Sequence, residues 1–248
     1  MTDTIALQLY TVRDETAKNF KETLRAVAEI GYPGVEFAGY GDFNSKDLAA
    51  VLADFGLKTV GSHVGLALVE KDIQHEINYC LEIGSPYLII PWINKDLLAQ
   101  EESFKKFANQ LNEYGQICKD RGLTLAYHNH DFEFAQVDGQ SLLERLIAST
   151  DANLVKFELD TYWAAFAGVD PIAFIKKHSN RIATLHLKDM TPDRKFTEVG
   201  AGTLDIAGYI EAGQAAGATA FIVENDQPAI PSLESARLSF ADLHRSLT

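Results

Sequence analysis

Two histidines stand in alternate positions at the end of an apolar run, in a chain that contains only seven histidines. The stretch LTLAYHNHDFEF, residues 123–134, places His128 and His130 directly after an alternating run of apolar side chains. Side chains two residues apart on a strand point to the same side, so both imidazoles would face one site. Imidazole is a common metal ligand and also transfers protons near neutral pH. A single histidine is more often a hydrogen-bonded pocket residue, and that reading of His63 and His130 stays open.

Polar side chains also stand near the ends of the other apolar runs. They are Gln8, Glu36, His63, Glu158, Asp160, His186, Lys188 and Glu224. A polar group inside a protein is costly in free energy unless it is paired or bound to a ligand. There are more of these groups than the packing of a core requires, which favours a functional site built from several strand ends.

Such a site needs elements that bring distant runs together. Eight β-rich runs alternate with helical patterns, and they span residues 5–11, 34–39, 58–65, 87–92, 124–130, 155–163, 182–189 and 220–226. Between the first two runs, Phe20, Leu24 and Val27 share one helical face, and Gly31 marks the helix end. The next helical pattern has Ser45 as its predicted N-cap and stops at Gly56.

Eight strand–helix pairs in 248 residues have the size and rhythm of a (β/α)8 TIM barrel, which we predict as a single domain over residues 1–248. The alternative is a doubly wound open sheet, which usually has fewer strands and a glycine-rich first turn. Here the first run continues into YTVRDE without such a turn. In a TIM barrel the active site forms at the carboxyl ends of the strands, where these polar side chains stand.

The last four predicted strands carry the side chains that a metal would need. His128, Asp160, His186 and Glu224 lie near the ends of strands five to eight. Two imidazoles and two carboxylates suit Mn²⁺, Co²⁺, Zn²⁺ or Fe²⁺, whereas Ca²⁺ prefers oxygen ligands alone. The four residues are dispersed along the chain and form no local signature. From the pattern alone, a divalent-metal site and a metal-free pocket both stay open.

The acidic composition of the chain argues against nucleic acid and anionic membranes as partners. The formal net charge is -13 and the pI is near 4.9, whereas nucleic acid and anionic membranes bind basic surfaces. No run of about 18 apolar residues is present. The N-terminal MTDTIALQLYTVRDE lacks the basic and apolar regions of a secretory signal. We therefore expect a cytoplasmic protein without nucleic-acid or membrane partners.

Five motifs, in order along the chain, carry a resemblance to a known family. They are AYHNHDFEF, ELDTYWAAFAGVDP, RIATLHLKDM, VGAGTLD and IVENDQP. Together with LQLYTVRDE and GYPGVEFAGYG near the N-terminus, they resemble the sugar phosphate isomerase/epimerase family of xylose isomerase-like TIM barrels. The YHxH strand resembles the inosose dehydratase-like branch. The family also includes ketose 3-epimerases, hydroxypyruvate isomerases, endonuclease IV and lyases that act on 3-keto-glycosides.

The resemblance implies a divalent metal held by residues of strands five to eight. The family's usual aspartate, histidine and glutamate fall on Asp160, His186 and Glu224, while His128 takes the place of the usual strand-five glutamate. The family often has a histidine three residues after the strand-six aspartate, where this chain has Trp163. These two departures weigh against an epimerase in which two metal-bound glutamates exchange protons on opposite faces of the substrate.

The activity that the resemblance implies is proton abstraction next to a carbonyl of a keto-sugar or polyol, through an enediolate. Glu224 is the first candidate for the base, followed by His63, Glu158 and His130. Lys188 would stabilise the developing oxyanion or protonate a leaving hydroxyl. We predict an isomerase or epimerase, in which the proton returns to carbon. The alternative is a lyase, either inosose dehydratase-like or acting by β-elimination on a 3-keto-glycoside.

Two readings from other classes stay open. An endonuclease-like DNA repair enzyme would need three metals, more histidine ligands and a basic groove, and a chain with a net charge of -13 does not favour such a groove. A non-catalytic sugar-binding barrel would retain no metal after purification. Barrels of this kind often dimerise, so a homo-oligomer is compatible with the sequence, but no apolar interface can be read from it.

Overall fold

Eight parallel strands form a closed barrel in the computed structural model, which describes residues 5–247. The strands are β1 (Ile5–Gln8), β2 (Gly34–Ala38), β3 (Lys58–His63), β4 (Tyr87–Ile90), β5 (Thr124–His128), β6 (Val155–Asp160), β7 (Ile182–Leu187) and β8 (Ala220–Val223). Each strand pairs with the next in sequence, and β8 pairs with β1. The predicted TIM barrel is confirmed. The ends of the predicted 1–248 domain and the start of the N-terminal stretch lie outside the described residues.

Helices connect the strands around the barrel. They are α1 (Arg13–Thr16), α2 (Phe20–Ile30), α3 (Ser45–Phe55), α4 (Leu66–Glu82), α5 (Asp96–Ala99), α6 (Glu101–Asp120), α7 (Leu142–Ser149), α8 (Thr161–Phe166), α9 (Pro171–Lys177), α10 (Ile206–Ala216) and α11 (Ser232–Leu247). Two short hairpins, Gln136–Val137 with Gln140–Ser141 and Asp189–Met190 with Phe196–Thr197, extend the loops after β5 and β7. Among residues 5–247, no helix has the length and apolar content of a membrane span.

The residues at the boundaries of the first long helices explain where these helices begin and end. Gly31 and Gly56 follow α2 and α3 with φ of 115° and 68°, a left-handed backbone that glycine adopts readily, so both predicted helix ends are confirmed. The predicted N-cap at Ser45 is wrong. Asn44 caps α3, because its side chain accepts the N–H of Asp47 at 3.0 Å. Both residue types are good caps, and the sequence does not show which of two neighbours keeps the extended backbone.

Two strands end sooner than predicted because their last side chains start a helical turn. Gln8 accepts the backbone N–H of Tyr10 at 3.0 Å and begins a 3₁₀ turn. Asp160 accepts the N–H of Trp163 at 3.0 Å through Oδ1 and is the N-cap of α8. The predicted strands 5–11 and 155–163 therefore end at Gln8 and Asp160. Trp163 lies in a helix, not at a strand end.

A glycine inside the barrel makes room for a carboxyl group. A Cβ atom at Gly61 would lie 2.3 Å from Glu36 Oε1 and 2.7 Å from Ile89 Cδ1. The register between β2 and β3 shifts at Val35 and Glu36, so that Glu36 pairs with Gly61. Glu36 is fully buried. The irregular register and the missing side chain at Gly61 together place the Glu36 carboxyl group in the barrel interior.

Candidate active site

The carboxyl ends of the strands surround a cavity of about 650 Å³. The structure brings all the site residues predicted from sequence to this end of the barrel. Five of these residues line the cavity, namely His63, His128, His130, Lys188 and Glu224. The other three, Glu158, Asp160 and His186, are fully buried and reach the site through hydrogen bonds or ion pairs.

Glu158 lies at the centre of three imidazoles. Its Oε1 is 2.7 Å from His63 Nε2, 3.1 Å from His128 Nδ1 and 3.1 Å from His186 Nε2. Its Oε2 accepts the Thr184 hydroxyl at 2.7 Å. Both oxygens are therefore engaged inside the protein, and the carboxyl group does not face the cavity.

Glu158 does not pair with either of the lysines nearest to it along the barrel, Lys156 and Lys188. Lys156 Nζ instead donates to the carbonyl of Asn180 at 2.8 Å, and Lys188 Nζ contacts three other carboxylates. The barrel interior supplies histidines from other strands instead.

Glu36 is the second carboxylate beneath the imidazoles, and we call Glu36 and Glu158 the deep carboxylate pair. Glu36 Oε2 accepts from Gln8 Nε2 at 2.8 Å, from His186 Nε2 at 2.6 Å, and lies 3.1 Å from His63 Nε2. Its Oε1 is buried above Gly61 without a hydrogen-bond partner. The sequence placed Glu36 at a strand end but gave it no role, since strand parity does not reveal depth.

The deep carboxylate pair sets the charge of the imidazoles. Burial by itself lowers the pKa of His63, but the charges of Glu36 and Glu158 outweigh burial and raise that pKa to about 9. Burial likewise opposes a proton on His186, and the same two carboxylates raise its pKa well above the usual range. Burial lowers the pKa of His128 well below its usual range. His128 is therefore a neutral imidazole with a free lone pair.

A second cluster surrounds the ammonium of Lys188, and we call Lys188, Asp160, Glu224 and Asp226 the lysine cluster. Lys188 Nζ lies 3.0 Å from Asp160 Oδ2, 2.8 Å from Glu224 Oε2 and 2.9 Å from both oxygens of Asp226. The Lys188 side chain is only 2% exposed. Burial opposes its charge, but the carboxylates raise its pKa well above the usual range. Burial and the charge of Glu224 raise the pKa of Asp226 to about 7.

His130 stands apart from both clusters on the cavity wall. Its Nδ1 is buried without a hydrogen-bond partner. Burial and the positive charge of Lys188 lower the pKa of His130 to about 4, so the ring is neutral. Its backbone N–H donates to Glu133 Oε2 at 2.8 Å, and Glu133 Oε1 accepts the Tyr127 hydroxyl at 2.6 Å. Glu133, a residue without an assigned role in the sequence analysis, thus fixes the loop that carries His130.

Two groups of side chains among residues 5–247 have possible metal-ligand atoms within 4.8 Å of one another. The first group is His63, His128, Glu158 and His186, and the second is Asp160, His186 and Glu224. His186 belongs to both because its Nε2 faces Glu36 Oε2 at 2.6 Å and its Nδ1 faces Glu224 Oε2 at 2.8 Å. The predicted ligand set is therefore divided, with His128 in the first group and the other three residues in the second.

His128 is oriented like His186. Its Nδ1 faces Glu158 Oε1 at 3.1 Å, and its Nε2 lies 3.7 Å from Asp160 Oδ2. Each ring therefore turns one nitrogen to the deep carboxylate pair and the other to a carboxylate of the lysine cluster. The two rings connect the deep layer of the site to the layer at the cavity.

The rim of the cavity is apolar and exposed. Tyr10, Leu68 and Trp92 line it, and they are half of the large hydrophobic side chains that are exposed among the described residues. Trp92 is 57% exposed. Exposed apolar groups that cluster at a cavity mark a binding surface more often than isolated ones do.

Asp226 is a site residue that the sequence patterns did not single out. It follows Glu224 by two residues in IVENDQP, and its carboxylate binds Lys188 with both oxygens. The same two-residue spacing joins His128 to His130 and Glu158 to Asp160, so the repeated spacing was the signal that could have identified it. Thr184, which donates to Glu158, has no such signal because threonine is common in strands.

The family model described as xylose isomerase-like TIM barrel matches residues 24–241. The chain belongs to this family. The inosose dehydratase of Geobacillus thermodenitrificans (strain NG80-2) is 25% identical over an alignment of 251 positions, gaps included, which covers 85% of this chain and 84% of that protein. The inosose dehydratase of Clostridium beijerinckii (strain ATCC 51743 / NCIMB 8052) is 36% identical over 93 residues, which cover 38% of this chain and 30% of that protein.

Solved structures share the fold over nearly the whole chain. A sugar phosphate isomerase/epimerase from Parabacteroides distasonis ATCC 8503 has a TM-score of 0.84 at 23% identity, covering 98% of this chain and 94% of its own. The IOLI protein with a binding zinc atom has a TM-score of 0.72 at 16% identity, covering 99% of each chain. At these identities the likeness shows the fold alone.

Proposed function

We propose that this chain binds a divalent metal and removes the proton next to the carbonyl of a keto-sugar or polyol. The observation that carries the proposal is the orientation of two rings. His128 and His186 each turn one nitrogen to the deep carboxylate pair and the other to Asp160 or Glu224. Metal-binding histidines characteristically donate their other N–H to a carboxylate, which fixes the tautomer and the ring orientation.

The donor chemistry fits a divalent transition metal. Asp160, His186 and Glu224, whose ligand atoms lie within 4.8 Å of one another, would hold the ion through Oδ2, Nδ1 and Oε2. His128 Nε2, which lies 3.7 Å from Asp160 Oδ2, would be the fourth ligand. Asp160 Oδ1 is already used to cap α8, so Oδ2 is the oxygen left for this task. Mixed nitrogen and oxygen ligands suit Mn²⁺, Co²⁺, Zn²⁺ or Fe²⁺. The carboxylates that raise the pKa of His186 also attract a metal ion, whose binding at Nδ1 would release a proton.

When bound, the metal polarises a carbonyl and stabilises the negative charge that develops on its oxygen. His130 is the proposed base. It lines the cavity, its ring is neutral, and its buried Nδ1 has no hydrogen-bond partner. Glu224, the first candidate from sequence, has its Oε2 engaged by Lys188 and His186. A carboxylate held by two cations is a weaker proton acceptor than a free imidazole.

The other predicted catalytic residues take supporting roles in this proposal. Glu158 is fully buried with both oxygens engaged, so it orients the imidazoles instead of touching the substrate. His63 lines the cavity but turns its Nε2 to the deep carboxylate pair, whose charge it balances. Lys188 lines the cavity, and in this proposal its ammonium would donate a hydrogen bond to a substrate oxygen.

We place isomerisation first among the outcomes. One neutral imidazole on the cavity wall can take a proton from one carbon and return it to the neighbouring carbon on the same face of the substrate. Epimerisation at a single carbon needs a second proton donor on the opposite face, and His128 occupies the position where the family usually has a second glutamate. The geometry therefore favours an isomerase over a two-base epimerase.

A lyase on the same site is the second candidate. The Lys188 ammonium lines the cavity and can protonate a leaving hydroxyl or glycosidic oxygen. The two relatives reported above are inosose dehydratases, which also favours loss of water. If the substrate is a 3-keto-glycoside, the apolar rim formed by Tyr10, Leu68 and Trp92 would accommodate its aglycone.

Metal analysis of the purified wild type and of His186→Ala tests the metal site. Exchange of solvent deuterium into keto-sugars, keto-polyols and 3-keto-glucosides then tests the proton abstraction. We expect near-stoichiometric Mn, Co, Zn or Fe that the variant loses, because His186 joins both donor groups. Deuterium should enter next to the carbonyl with the wild type but not with His186→Ala. The exposed His75, substituted by Ala, is the matched control and should keep both properties.

The outcomes separate the candidates. Failure to bind any of the four ions, together with no exchange, would refute the proposal and leave a non-catalytic sugar-binding barrel. Stoichiometric metal without exchange into any substrate would refute the proton abstraction but not the metal site. Where exchange occurs, a product with the substrate's molecular formula, apart from the deuterium, identifies an isomerase or epimerase. A product that has lost water or an aglycone identifies a lyase.

A further inference from the structure

The ammonium of Lys188 lies where two of the proposed metal ligands meet. Its Nζ is 3.0 Å from Asp160 Oδ2 and 2.8 Å from Glu224 Oε2. Bonds between these metals and carboxylate oxygens are about 2.0–2.2 Å long, so an ion bound to both oxygens would take the space that the ammonium fills. The two positive charges would also repel each other strongly at such a distance. A metal at these ligands and Lys188 in this position therefore exclude each other.

Asp226 gives the ammonium a second place. Both Asp226 carboxylate oxygens accept from Lys188 Nζ at 2.9 Å, and Asp226 is not one of the proposed ligands. The backbone carbonyl of Asp226 accepts from Arg13 Nη2 at 2.8 Å, which ties the loop after β8 to α1. Lys188 and Asp226 both line the cavity. The ammonium can therefore leave Asp160 and Glu224 and still keep a carboxylate partner.

We infer that Lys188 is an internal cation that occupies the metal position in the metal-free protein and withdraws to Asp226 when the metal binds. The inference rests on the proposed metal site. The withdrawn ammonium faces the cavity, so metal loading also positions Lys188 for the substrate. Because coupling between binding events is reciprocal, a substrate that binds the withdrawn ammonium would strengthen metal binding to the same degree. Asp226 is a positioning residue in this scheme.

The test is the affinity of the chelator-stripped protein for Mn²⁺, measured by calorimetry and by electron paramagnetic resonance of free Mn²⁺. Lys188→Met replaces the ammonium by an uncharged, unbranched side chain that is one atom shorter. It should bind Mn²⁺ at least about tenfold more tightly, because no ammonium has to be displaced. Asp226→Asn should bind Mn²⁺ at least about tenfold more weakly, because the displaced ammonium loses its partner. Lys195→Met is the control, since Lys195 is exposed and pairs with Asp193.

Thermal unfolding establishes that each variant is folded before titration. An Mn²⁺ affinity of Lys188→Met equal to or weaker than that of the wild type would overturn the inference and leave the metal site intact. Failure of every protein to bind Mn²⁺ would refute the proposed function, and the inference with it. A second readout is acylation of Lys188 by acetic anhydride, followed by mass spectrometry. Labelling should rise severalfold when Mn²⁺ is added, and unchanged labelling would contradict the withdrawal.

Discussion

His130 and His128 are two residues apart, yet their surroundings give them different chemistry. The Nδ1 of His128 contacts Glu158 and its Nε2 faces Asp160, whereas the Nδ1 of His130 has no hydrogen-bond partner. The spacing of the two histidines could be read from the sequence and predicted that both rings face one site; both line the same cavity. It could not show which ring carries a partner, because the partners come from other strands and from Glu133 in the following loop.

At the scale of the residue, we predict that His130→Gln abolishes proton exchange without loss of metal. Exchange into the substrate should fall at least about 10²-fold, the usual contribution of a general base, while metal content stays at the wild-type level. Mass spectrometry of the substrate and elemental analysis of the same sample measure the two effects. His75→Gln is the matched control. Exchange at the wild-type rate in His130→Gln would show that His130 is not the base and would make Glu224 the first candidate again.

Among the elements, β2 and β3 show how a strand places a buried charge. The β-rich runs that predicted the strands located every strand of the barrel, but their ends were wrong where Gln8 and Asp160 start a helical turn. The irregular register between β2 and β3 left no mark in the hydrophobic pattern. Glu36 was therefore recognised as a polar strand end, whereas its place beneath the imidazoles depends on Gly61 in another strand.

We predict that Gly61→Ala destabilises the protein and disturbs the site above it. The new methyl group would lie 2.3 Å from Glu36 Oε1, and overpacking of this kind costs about 1–3 kcal/mol. Unfolding in urea measures the change in the free energy of unfolding. Gly65→Ala is the control, because a Cβ there meets nothing within 4 Å. Equal stability of the two variants would show that the Glu36 carboxyl group is not confined by β3.

For the whole molecule, the order of elements and the acidic composition were the most informative parts of the sequence. The alternation of β-rich and helical runs predicted the closed barrel, and the barrel rule directed attention to the carboxyl ends of the strands. The composition does not determine how the acidic groups are arranged. Some are on the surface, whereas the deep carboxylate pair and three more carboxylates face cationic groups around one site.

This arrangement makes the stability of the metal-free protein depend on pH. The pKa of His63 is raised to about 9 in the folded protein by Glu36 and Glu158, against 6.5 for the ordinary group. Its contribution is therefore fully present below pH 6.5 and is lost as the pH rises through about 9. We predict that the chelator-stripped protein loses roughly 1–3 kcal/mol of unfolding free energy over this interval.

Urea unfolding at a series of pH values measures this loss, with His63→Gln for comparison. Between pH 7 and 9, the unfolding free energy of the variant should fall less steeply with pH, by a slope that corresponds to close to one proton. Identical slopes in the two proteins would mean that the deep carboxylate pair does not hold a proton on His63.

The chain contains two tryptophans, and both line the cavity. Trp92 stands at the exposed rim, and the Trp163 ring lies 5.8 Å from the Lys188 ammonium. The tryptophan fluorescence of the protein therefore originates at the mouth of the barrel. The emission of Trp92 should therefore respond to molecules that bind at the rim, and the emission of Trp163 should respond to movement of the Lys188 ammonium.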